Sequence, residues 1–169
     1  MFKKIIIALS LVLLLNSSVV YAGDPYPNHS KLRNDITMFE QKVSQHVLIP
    51  TWLPPKYKPI FARITRKTHL TITYSQGWEI HDGEIELQVN SKSEIKETHL
   101  SKIKLENGTT AYFKEERLEG PFDNVPFDGD YVRLYFYDNN LLYTLGMGSK
   151  AINTAKMKRI LIKIANSMT

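Results

Sequence analysis

The side chains able to do chemistry in this chain are five histidines and a spread of carboxylates, with no cysteine at all. A thiol nucleophile and a disulfide are therefore both excluded. A serine nucleophile calls for a strained elbow such as G-x-S-x-G, and the sequence has none. His29, His46, His69, His81 and His99 are scattered, and no two stand at the i, i+4 spacing that puts two ligands on one helix face. His81-Asp82-Gly83-Glu84 contains metal-ligating types, but Asp82-Gly83 is better read as a hairpin turn. Glu84 and Glu86 alternate onto one strand face. Paired carboxylates can cleave sugars, and strand carboxylates ordinarily face solvent. A secreted hydrolase acting on cell-wall material is the alternative reading they leave. No motif calls for a cofactor, and none is expected.

Asp123, Asp128 and Asp130, with Asn124 and Gly129, gather oxygen ligands in a Pro- and Gly-punctuated stretch from Leu118 to Asp130. Calcium takes six to eight oxygens. The spacing matches no EF-hand, and Asp and Gly collect in ordinary surface turns, so calcium is a secondary reading. Phe122 and Phe127 are expected to pin this loop to the domain.

The stronger hint is for binding. Near the end of the chain, a two-residue turn at Asn139-Asn140 pairs Phe136 with Tyr143 and Leu134 with Leu145 on a core face. Arg133, Tyr135, Tyr137 and Leu142 then fall on the opposite face. Tyrosine and arginine are enriched where partners bind. This face is the expected ligand or partner surface, with Trp78 at a hairpin tip as a further anchor. The competing expectation is that the amino-terminal helix covers it.

These residues are positioned by an α+β frame. Leu32, Ile36, Phe39, Val43 and Val47 recur at helical spacing after Ser30, a candidate N-cap, and Pro50 sets the limit of that helix. The period then becomes two: Ile60, Ala62, Ile64; Leu70, Ile72, Tyr74; Ile85, Leu87, Val89. At Asn107-Gly108 a two-residue turn would put Ala111 and Phe113 opposite Ile103 and Leu105. A three-residue loop, Glu106 to Gly108, keeps all four on one face, so burial selects that loop with Gly108 in a bulge. A second helix, capped by Asn153 or Thr154, buries Met157, Ile160, Leu161, Ile164 and Met168. Its basic stripe of Lys156, Lys158, Arg159 and Lys163 reads as a solvated face. The expected domain, residues 30–169, is an antiparallel sheet of about seven strands with an N-terminal and a C-terminal helix.

The first 22 residues read as a signal peptide. Lys3 and Lys4 precede the apolar run from Ile5 to Leu15, and Val20-Tyr21-Ala22 ends on small residues. That run is about half the roughly 20 residues a spanning helix needs. No stable membrane span is expected after cleavage, and residues 23–29 form a flexible leader. Removing Lys3 and Lys4 lowers the formal charge from +5 to +3. That excess is too small to argue for nucleic acid.

Several segments, in order, resemble a bacterial family. They are Ile49-Pro50-Thr51-Trp52-Leu53-Pro54-Pro55-Lys56-Tyr57, Thr71 to Tyr74, Glu84 to Gln88, Asn107-Gly108-Thr109, Val132 to Phe136, Leu142 to Leu145 and the closing Ile160 to Met168 helix. The family is an extracytoplasmic domain of unknown function. It occurs at the outer end of membrane-bound anti-sigma and sigma-factor regulatory proteins, and in small exported proteins. The resemblance spans Leu32 to Met168. Phe136 stands where a Trp is expected, and Lys56 where Gly often precedes the aromatic. The resemblance implies a sensing, binding or scaffolding role in the cell envelope and offers no catalytic residues. The resulting expectation is an exported, non-catalytic domain that meets an envelope protein or a cell-wall polymer.

Overall fold

The computed structural model describes residues 29–66, 68–76, 83–122 and 125–169, with backbone alone at 120–122 and 125–127. Helix α1 (Ser30–Val43) opens the fold and α2 (Thr154–Asn166) closes it. Between them run β1 (Lys58–Thr65), β2 (His69–Ser75), β3 (Ile85–Asn90), β4 (Ser101–Lys104), β5 (Thr110–Phe122), β6 (Val125–Asp138) and β7 (Leu141–Ser149). All seven strands form one antiparallel sheet in the order β1-β2-β3-β7-β6-β5-β4. This is the α+β arrangement expected from the periodicities. No described helix is long and apolar enough to cross a membrane.

The inner face follows from register. Ile72 opposes Leu87, Leu87 opposes Leu145, and Leu145 opposes Leu134, so one continuous row of apolar side chains crosses the sheet centre. All four are fully buried. Leu32, Ile36 and Phe39 of α1 and Met157, Leu161 and Ile164 of α2 join the same core. Both helices therefore pack on one face of the sheet, α1 against β1 and α2 against β6 and β7.

The hairpins take the registers that burial selects. Ile103 pairs with Ala111, the Leu105 N–H donates to Thr109 O, and Gly108 sits at φ +84°. Phe136 opposes Tyr143 with their rings stacked 5.0 Å apart. Asn139 and Asn140 both adopt positive φ, 45° and 63°. That is the twist a two-residue hairpin turn demands.

Four expectations change. Helix α1 ends at Val43, because Ser44 turns left-handed (φ 54°) and the helix does not continue toward Pro50. Val47 is still fully buried, but from a segment held by Glu40, whose Oε1 accepts from Val47 N (2.9 Å). His29, not Ser30, occupies the N-cap position, without a side-chain cap, whereas Asn153 caps α2 by accepting from Lys156 N. In β1 a bulge between Pro59 and Phe61 displaces Ile60, so Pro59, Ala62 and Ile64 carry the inward register. Finally, within the stretch from Leu118 to Asp130, the described residues 118–122 and 125–130 are strand rather than loop. They extend β5 and β6 into a long arm, with Arg117 opposite Asp130 and Leu118 opposite Gly129.

The carboxyl end is tied into the fold. Ile49 and Thr169 exchange both backbone hydrogen bonds, and Thr51 N and its hydroxyl both donate to Ser167 O.

Candidate functional site

The outer face of the sheet carries the polar chemistry. Alternation sends Tyr131, Arg133, Tyr135 and Tyr137 of β6 outward, beside Lys114 and Glu116 of β5 and Thr144, Gly146 and Gly148 of β7. Glu86 and Gln88 of β3 continue the face toward Thr73 and Thr71 of β2.

The charged groups here engage one another. Lys114 Nζ lies 2.6 Å from Glu97 Oε2 and 3.2 Å from Glu116 Oε2. Arg133 Nη1 is 2.5 Å from Glu116 Oε1, and its guanidinium lies over the Tyr131 ring, 4.8 Å from the centroid. The Lys114 ammonium holds the Glu97 carboxyl below the usual carboxylate value, and the two carboxylates raise Lys114 in turn. Burial pushes the Tyr131 hydroxyl up to about 12, with the Glu86 charge adding to the effect. A chain of alternating charge is thus laid across β5 and β6.

A strap from Lys92 to Glu97 crosses this face at the β3 end. Ile95 N donates to the Tyr137 hydroxyl (3.0 Å), and Glu97 is within hydrogen-bonding reach of Tyr135 as well as Lys114. Beneath the strap is an open cleft of about 480 Å³ with Tyr135 and Leu142 as its floor.

This corrects the expected binding surface. Tyr135 and Leu142 are 6% and 5% exposed, so they are not presented as a patch. Their cover is the strap, not helix α1, which packs on the other face. Arg133 is half-buried within the ion-pair chain, and only Tyr137, 42% exposed, stands at the surface. Trp78 lies outside the described residues, as do Asp123 and His81. The other two residues of the calcium reading, Asp128 and Asp130, face an arginine. Arg117 Nη2 is 2.7 Å from Asp128 Oδ1, and its Nη1 is 4.0 Å from Asp130 Oδ1. No group of three or more His, Asp or Glu residues able to hold a metal exists among the described residues. On α2, Lys158 pairs with Glu115 and Lys163 lies over Trp52 at 3.9 Å, so half of the basic stripe is engaged by the domain itself.

Sequence reasoning missed the strap, Tyr131, Lys114, Glu97 and Glu116. One signal was available. Gly146 and Gly148 alternate with Leu145 and Met147 in a strand, and glycine inside a strand marks a close approach by another group. At Gly146 the approaching group is Tyr131.

No protein-family model, no curated protein and no solved structure matches the chain.

Proposed function

We propose that this chain is an exported, non-catalytic domain of the bacterial cell envelope that binds a ligand or partner in the cleft beneath the 92–97 strap. The cleft carries this reading. Its volume, about 480 Å³, falls within the range of small-molecule sites, and it combines an apolar and aromatic floor with a few polar groups at its rim. Tyr135 and Leu142 form the floor, and Lys92, Glu94, Lys96 and Glu97 stand around the mouth. Against a hydrolase, Glu97 at the cleft mouth meets the Lys114 ammonium. Glu97 is held on the acidic side of its usual range, where a general acid would need the opposite shift. The export reading rests on Lys3, Lys4, the apolar run from Ile5 and the small residues ending at Ala22. The envelope assignment rests on the resemblance of segments such as Ile49 to Tyr57 to the extracytoplasmic family.

Two measurements test the proposal. Intact mass and amino-terminal sequencing of the protein from producing cells should give a chain beginning at Gly23. Envelope fractions passed over immobilised protein should yield a component that a Glu94→Trp variant, which fills the cleft mouth, fails to retain. Equal retention by both proteins removes the cleft from the binding role. Turnover of purified cell-wall fragments by the wild-type protein establishes the hydrolase in its place.

A further inference from the structure

A second cleft, of about 590 Å³, opens at the same end of the sheet, between the β1–β2 turn and the start of the strap. Its chemistry differs from that of its neighbour. Arg66 and Lys92 bring two cations to it, and no carboxylate and no apolar side chain is among its described lining residues. Neither cation is ion-paired to a described residue. Thr65 and Ser93 add hydroxyls, while that of Thr68 is engaged by Arg66 O.

The remaining wall is preset by a hydrogen-bonded pair. His69 and Asn90 oppose each other in the β2–β3 ladder, and His69 Nδ1 lies 2.6 Å from Asn90 Oδ1. With that oxygen accepting from the ring, the Asn90 amide N–H groups are the part of its side chain left to donate. His69 Nε2 meets the Thr71 hydroxyl at 3.0 Å, which fixes the ring from its other side. The turn is anchored too: Ser91 N donates to Thr68 O, and the Thr68 hydroxyl to Arg66 O.

The cleft therefore converges a guanidinium, an ammonium, an amide donor and hydroxyls, with no anionic group among its described lining residues to neutralise them. Such a set repels metal cations and matches the oxygens of phosphate, to which arginine binds as a planar fork. We infer that this cleft binds a phosphate-class oxyanion. The cleft is open to solvent, so the same donors can meet a free phosphate ion or a phosphodiester within a longer chain. This inference does not depend on export or on the strap cleft. Glu94, the probe of that cleft, does not line this one.

The test is a titration of the purified protein with inorganic phosphate and, separately, with a short poly(glycerol phosphate), followed by amide NMR shifts and calorimetry. Saturable shifts should appear at Arg66, Thr68 and Lys92. Arg66→Gln and Lys92→Gln should each weaken binding about tenfold, the scale of one charge-assisted contact. Lys156→Gln, an equal loss of charge on α2, should leave it unchanged. Tighter binding of the polymer assigns the phosphodiester as ligand, and equal affinity assigns the free ion. Absence of saturable binding of either probe, or equal weakening by all three substitutions, overturns the inference.

Discussion

The Tyr131 side chain lies over Gly146, one same-face pair along from its own ladder partner Gly148. A β-carbon on residue 146 would stand 2.2 Å from the Tyr131 hydroxyl oxygen and 3.0 Å from Cζ. Gly146→Ala must therefore displace Tyr131 or bend β7. Overpacking of this kind costs about 1–3 kcal/mol, or several degrees of melting temperature. Tyr131→Phe removes the nearest atom but leaves Cζ tight, so the double variant should recover part of the loss. A double-mutant cycle by thermal or urea unfolding reads the coupling, and strict additivity would contradict the contact.

Alkali should unfold the domain through two tyrosines. Burial raises both Tyr131 and Tyr143 to about 12. Tyr143 Oη also accepts from Leu48 N, which opposes the rise without cancelling it. The folded state binds these protons more tightly than the unfolded chain. Their contribution is complete below the ordinary tyrosine value and is lost as pH rises from about 10 to about 12, at roughly 1.4 kcal/mol per tyrosine for each pH step of one. Tyrosinate absorbance should lag in the folded protein and then rise together with loss of circular dichroism. Early, independent ionisation of all tyrosines would contradict this.

Acid acts on the strap. Glu97 is held below the ordinary carboxylate value, chiefly by its hydrogen bond to Lys114. A depressed carboxyl stabilises the fold above the unfolded value and loses that effect as pH falls through the folded one. Protection factors along 92–97, taken relative to the intrinsic exchange rate at each pH, should fall in that acidic window while those of the core hold. Glu97→Gln should remove that change in protection, leaving only the intrinsic pH dependence of exchange. Tyr137→Phe deletes the acceptor of Ile95 N, so exchange at Ile95 should rise at every pH.

The Asn139-Asn140 turn gives a register test. Both residues sit at positive φ, where a side chain without local hydrogen bonding costs about 1–2 kcal/mol. Asn140→Gly should hold or raise stability, whereas Asn140→Val should lower it by about that amount in urea unfolding. Equal stability of the two variants would mean a different turn.

Legibility in the sequence followed the range of the interaction. The registers at Gly108 and at Asn139-Asn140 could be read because a one-residue slip would expose Phe113 or Leu145, which are nearly or fully buried. The β5–β6 arm could not. Gly120, Pro121, Pro126 and Gly129 are turn formers by local propensity, and the pairing of Arg117 with Asp130 overrode them. The strap was hidden for another reason. Ser91 to Leu100 has no period of two or of 3.6, so nothing local places it over Tyr135. The side of β6 on which Tyr135 lies was legible; its burial depended on a segment forty residues away in sequence, and the charge chain of Glu97, Lys114, Glu116 and Arg133 depended on pairing three separate segments.

The sheet order also says where the protein can be divided. Strands β1 to β3 neighbour one another in sequence and space, and so do β4 to β7; the β3–β7 ladder joins the two groups. The strap is the covalent link across that seam. Each group brings its own helix on the shared inner face, α1 against β1 and α2 against β6 and β7. A chain nicked within the strap should therefore remain associated as a two-piece protein. Separately produced halves should find each other in trans along Leu87 and Leu145, with Ile49 and Thr169 closing the second join.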